Sequence, residues 1–147
     1  MKKVKFMTLI NASRKKIWDV LWTDASYKTW TSVFSEGSHA ETDWKEGSKV
    51  LFLGPDGGGM YSMIEKIIPE KYMAFKHLGV MKEGKELPLD EETKNWSGAM
   101  ETYSLIENNG STELMVEMDV TDEFYDYFSK TFPDALEKVK ELAEESS

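Results

Sequence analysis

The sequence predicts an α+β protein, an antiparallel sheet of about six or seven strands with helices on one side and a long helix at the C-terminus. Three observations carry this. The N-terminal "KKVKFMTLI" alternates apolar and polar residues. A series of strand-like runs follows, separated by turn chemistry. After Val120 the apolar period switches from two to three or four.

The elements follow in order. In the first strand Val4, Phe6, Thr8 and Ile10 share one face. Asn11 or Ser13 can cap the next segment, because their side-chain oxygens accept the orphan amides of a helix start. From Arg14 to Trp22, Ile17, Trp18, Leu21 and Trp22 fall on one helical face. After the turn "TDAS", Tyr27 to Trp30 is read as a second short helix. Strand signals then lie near 38–44, 48–53, 60–68, 71–78, 98–107 and 112–120.

The connections are those of a meander. "WKEGSK" is a turn, and "GPDGGG" has the Pro, Asp and Gly of a loop that needs positive φ. Pro69 in "IPEK" ends one strand, and Asn-Gly in "IENNGST" is a hairpin signal. The polar "VMKEGKELPLDEETK" reads as a long excursion between strands, of the kind that borders functional openings. Phe124, Phe128, Phe132, Leu136, Val139 and Leu142 then mark an amphipathic helix of about twenty residues, or two segments hinged at Pro133. Asp122 and Glu123 complement the dipole in its first turn.

Composition bounds the function. With 147 residues, 40% hydrophobic and 31% charged, the chain suits one globular domain over 1–147. It has no cysteine, hence no disulfide, thiolate nucleophile or cysteine zinc site. No apolar run reaches the roughly 20 residues of a membrane span, and the N-terminus does not read as a signal peptide, so a cytoplasmic location is expected. Residues 113–147 carry −8 of the net −9, whereas the first sixteen hold Lys2, Lys3, Lys5, Arg14, Lys15 and Lys16 with no acid. An acidic protein repels phosphate backbones, which argues against nucleic acid.

Several side chains invite chemistry. Trp18 and Trp22, four apart, are neighbours on one helical face. They form either helix-on-sheet core or the wall of something hollow. The expectation is that Trp18 anchors the helix, while Trp22 and Tyr27 frame an opening with Trp30 nearby. Met73, Phe75 and His77 share a strand face, which points His77 inward; His39 is expected at the surface. Glu101 alternates in phase with Tyr103 and Leu105, so it is either buried and paired or near solvent at the strand end. Whether His77 meets Glu101 is open. "GPDGGG" lacks the Gly-Lys-Ser/Thr ending of a phosphate loop. No metal-ligand spacing and no G-x-S-x-G elbow occur, so no metal, nucleotide cofactor or catalytic residue is expected.

The segments "KIWDVLWTDASYKTW", "DWKEGSKVLFL", "GMYSMIEKIIPEKYMAFKHLG", "METYSLIENNGSTELMVEMDV" and "FPDALEKVKELAEE" resemble the START-like (SRPBCC) superfamily. Within it they are similar to the family of the activator of the heat-shock-protein-90 ATPase. Trp18, Leu21, Trp30, Gly47 and Pro69 match family positions, while the "TDP" of many relatives reads "TDA" here. The resemblance implies a helix-grip fold, in which a curved sheet wraps the C-terminal helix around an apolar cavity. Here that cavity would draw on Trp22, Tyr27, Trp30, Met73, Phe75, His77, Glu101, Tyr103, Phe128 and Phe132. Binding of a small hydrophobic ligand is the first expectation. A chaperone-regulating protein–protein module is the second, although nothing in the chain matches the eukaryotic activator's extra N-terminal domain. A cyclase- or dehydratase-type enzyme using His77 or Glu101 as general acid or base is the third.

Overall fold

Alternation along the first strand sorts its side chains as read: Val4 and Ile10 are buried, while Lys3, Lys5, Met7 and Leu9 face out. The computed structural model describes residues 2–145. Its strands are β1 (Lys2–Ile10), β2 (His39–Glu41), β3 (Lys49–Leu53), β4 (Gly59–Ile68), β5 (Tyr72–Lys82), β6 (Lys85–Glu86), β7 (Met100–Asn108) and β8 (Ser111–Val120). They form one 8-stranded sheet in the order β1-β8-β7-β5-β4-β3-β2, with β6 on β5. Every pairing is antiparallel. The sheet is curved, and two register shifts between β4 and β5, at Tyr61/Ser62 and Ile64/Lys66, interrupt its ladder at the middle.

The turns follow their chemistry. Asn109 and Gly110 both take left-handed backbone (φ 54 and 84), as a two-residue hairpin between β7 and β8 requires. In the turn from β4 to β5, Glu70 after Pro69 adopts φ 65. Gly59 is the most constrained glycine. Its φ is 154, and a Cβ there would meet the Phe52 carbonyl oxygen on β3 well inside contact distance. Gly47, with φ 87, has nothing within 4 Å of that point. Gly59→Ala is therefore expected to cost at least about 1–3 kcal/mol, more than Gly47→Ala, measured as urea midpoints. Equal midpoints would show that β3 and β4 can separate freely there.

The helices are α1 (Arg14–Trp22), α2 (Asp24–Thr31), α3 (Glu91–Lys94) and α4 (Asp122–Glu145). Ser13 is the cap of α1, its side chain accepting from Lys16 N at 3.2 Å; Asn11 instead accepts from Ser111 at 2.9 Å. The second helix starts three residues before Tyr27, because α1 and α2 are separated only by the extended Thr23. The excursion after Val80 is less irregular than expected. β5 continues to Lys82, and the segment then holds β6 and the single turn of α3, capped by Asp90. β6 is what raises the strand number above the six or seven expected.

α4 runs unbroken for 24 residues through Pro133, so the two-segment alternative does not hold. Pro133 is exposed, and its missing amide lies on the water side of the helix. From its midpoint onward α4 is buried on one face, through Phe132, Ala135, Leu136, Val139 and Ala143. It lies against β1, where Phe6 stacks on Phe132 at 5.1 Å. Its N-terminal half leaves Phe124 and Tyr127 exposed. The two charge blocks of the sequence meet along this edge: Lys3 pairs with Asp119 at 3.3 Å and Lys5 with Glu117 at 3.1 Å. These exposed pairs contribute little individually, but they set the β1 lysines against the acids of β8. Among the described residues, no helix is long and apolar enough to cross a membrane.

Candidate functional site

α4 packs tightly on the sheet only through its C-terminal half, and this leaves a hollow beside its N-terminal half. The cavity measures about 980 Å³. Trp22, Tyr27 and Trp30 wall it from α1 and α2; Phe52, Phe75, His77, Glu101, Tyr103 and Met118 wall it from the sheet. Phe124, Tyr127, Phe128 and Phe132 close the α4 side, and Leu87, Pro88, Thr93 and Trp96 border it from the excursion.

Trp22 is the hub of the aromatic wall. Its ring lies 4.9 Å from Tyr103 and 5.3 Å from Phe75, both edge-on, and 5.4 Å from Trp44. Such edge-to-face geometry matches the ring quadrupoles. Trp44 reaches this position from the β2–β3 loop through a left-handed backbone, φ 58. Trp30 is buried and donates its indole N–H to the Leu21 carbonyl at 3.2 Å. The indole N–H of Trp22 is buried with no partner among the described residues, as is the Thr121 hydroxyl, and both residues belong to the cavity wall.

A polar chain crosses the otherwise apolar sheet face. Ser62 Oγ lies 2.7 Å from His77 Nδ1, and His77 Nε2 lies 3.0 Å from Glu101 Oε1. The Tyr103 hydroxyl donates to Glu101 Oε2. Each ring nitrogen of His77 thus has a partner, Nε2 the carboxylate and Nδ1 the Ser62 hydroxyl. Burial, and then the nearby Glu101 charge, push the Tyr103 hydroxyl well above the ordinary tyrosine range, and the same two causes raise Tyr27. Both phenols are therefore neutral donors at the Glu101 end of the cavity.

The order of this chain matters for chemistry. A serine, a histidine and a carboxylate in line suggest a nucleophilic triad, but the serine is at the wrong end. Ser62 is fully buried and is absent from the cavity wall, whereas His77 and Glu101 belong to it. The geometry steadies an imidazole against a carboxylate that faces the hollow; it does not aim a hydroxyl at it. Among the described residues, no three His, Asp or Glu side chains are grouped to hold a metal ion.

The sequence profile of the Activator of Hsp90 ATPase homolog 1-like proteins matches residues 11–144. The chain belongs to this family. Solved structures with the same fold include the Aha1 dimer of Colwellia psychrerythraea, 22% identical with a TM-score of 0.73, covering 98% of this chain and 97% of that one. A protein of Mesorhizobium loti is 16% identical with a TM-score of 0.75, covering 99% of both chains. CalU16 of Micromonospora echinospora is 14% identical with a TM-score of 0.67, covering 98% of this chain and 77% of that one. A search of curated proteins finds no match.

Within this family fold, the residues singled out from sequence fall as follows. Trp22, Tyr27, Trp30, Phe75 and His77 line the cavity, as do Glu101, Tyr103, Phe128 and Phe132. Met73 does not; it is packed into the core with 2% exposure. His77 and Glu101, whose meeting was open, are in contact. Two expectations are corrected. Trp18 is the half-buried tryptophan and Trp22 the buried one, because the hub position faces Phe75 and Tyr103 while Trp18 only abuts Trp22 at its outer edge. His39 is half-buried at the cavity rim, its Nδ1 3.1 Å from the Gly37 carbonyl oxygen. Sequence reasoning missed Phe34, Phe52, Trp96 and Ser62. Phe52 alternates in phase with Val50 and was legible; Phe34 and Trp96 lie outside strands and long helices, where no periodicity marks a facing direction.

Proposed function

We propose that this protein binds a small, mainly apolar molecule in the cavity between the sheet and α4, and holds it without transforming it. The observation that carries this reading is a hollow of about 980 Å³ walled by aromatic rings, with one polar cluster on its sheet side. Ordinary cores are packed to crystal-like density, and a space of this size is that of a ligand pocket. The placement of Ser62 behind His77 supports binding over nucleophilic chemistry.

The test is titration with a neutral naphthalene-based fluorescent probe, alongside native mass spectrometry of protein taken from its own source. Saturating probe, at about 100 times its Kd, is expected to stabilise the fold by about 2.7 kcal/mol and raise Tm by several degrees. Phe128→Lys, on the α4 wall, is expected to abolish that rise. A probe that neither binds nor shifts Tm removes the proposal.

A second reading, as a protein–protein module, has its own observation. Met7 (55% exposed) and Leu9 (61%) on β1 and Ile106 (57%) on β7 lie on the outer sheet face, and Leu9 and Ile106 flank Glu113 in register. Such a patch suits a partner, and the Colwellia relative is described as a dimer. Charged substitution at Leu9 and Ile106 separates the readings, because it should leave probe binding intact.

A further inference from the structure

The charges around the cavity are one-sided. Among the described residues, no lysine or arginine belongs to its wall, whereas Asp56, Asp90, Glu92, Glu101 and Asp119 do. Most of these acids are engaged away from the hollow. Asp56 accepts from the Gly58 amide at 2.9 Å and Asp90 from the Thr93 amide at 2.8 Å. Asp119 accepts from the Met100 amide at 3.0 Å and pairs with Lys3 at 3.3 Å. Asp56, Asp90 and Glu92 are exposed to water at the rim, and Asp119 is paired with Lys3, so these acids contribute only a solvent-screened negative charge around the mouth.

Glu101 is different. It stands on the wall among Trp22, Phe75 and Tyr103, and its side chain keeps 15% exposure. Each of its oxygens receives one hydrogen bond, from His77 and from Tyr103, although a carboxylate can accept about four. The remaining capacity is for donors.

We propose that the cavity selects its ligand by the head group: an apolar body whose head donates a hydrogen bond to Glu101 and carries no negative charge, a lipophilic alcohol or amine and not a fatty carboxylate. This rests on the pocket being a binding site, as proposed above. An anionic head would meet Glu101 and the rim acids with no cation on the wall to receive it.

The test is a matched series at pH 7, octan-1-ol, octylamine, octanoate and octyl methyl ether, each displacing the neutral naphthalene probe from the full chain. Octanol and octylamine are expected to bind at least about tenfold tighter than octanoate, with the ether weaker than the alcohol for want of a donor. Glu101→Gln should weaken octylamine and strengthen octanoate, narrowing the gap. Octanoate binding as tightly as octylamine and octanol in the wild-type protein overturns the proposal, as does an ether equal to the alcohol. A gap between octylamine and octanoate that does not narrow in a folded Glu101→Gln protein does the same. If the probe binds and the four ligands do not differ, only the head-group selection fails. If neither probe nor series binds, the pocket reading fails with it. Should Glu101→Gln not fold, the wild-type series decides alone.

Discussion

Trp22→Ala is expected to lower the urea midpoint by the equivalent of about 3–5 kcal/mol, the range for deleting a buried large aromatic. Trp22 is 8% exposed and its ring meets Trp18, Trp44, Phe75 and Tyr103. Its removal opens a void that four rings cannot jointly fill, because each is held by a different element. Trp18→Ala should cost distinctly less, since Trp18 is half-buried and has a ring contact only with Trp22. The same Trp22 variant should also weaken probe binding, because the hub belongs to the cavity wall. Equal midpoints for the two variants would remove the hub role.

His77→Ala is the second large effect. The imidazole is 5% exposed and is the link between Ser62, fully buried, and Glu101. Its deletion leaves a hydroxyl and a carboxylate without their shared partner, which should cost about 2–4 kcal/mol. The lower part of the range is favoured because Glu101 keeps Tyr103 and access to the cavity. Ser62→Ala removes only the outer end of the chain and should cost about 1 kcal/mol. Chemical denaturation of both variants decides, and a His77→Ala protein no less stable than Ser62→Ala would mean that the chain is not held through His77.

What was legible in the sequence was whatever periodicity and turn chemistry report locally. Alternation in β1, the Asn109-Gly110 hairpin, the apolar faces of α1 and α4 and their order along the chain all follow from neighbours a few residues apart. With the resemblance, they sufficed for the helix-grip fold, and nine of the ten residues expected on the cavity wall lie on it, Met73 being the exception. Short β6 and α3 were illegible because so few residues carry no period.

Register and rotation belonged to the tertiary structure. That His77 meets Glu101 depends on how β5 pairs with β7, where Phe75 lies opposite Glu101. That Ser62 sits behind His77 depends on the register shifts between β4 and β5, since a shift of one residue reverses every facing. A four-residue spacing placed Trp18 and Trp22 on one face but could not say which of them the sheet would cover. That was decided by where β5 and β7 present Phe75 and Tyr103, a contact between residues more than fifty positions apart in the chain.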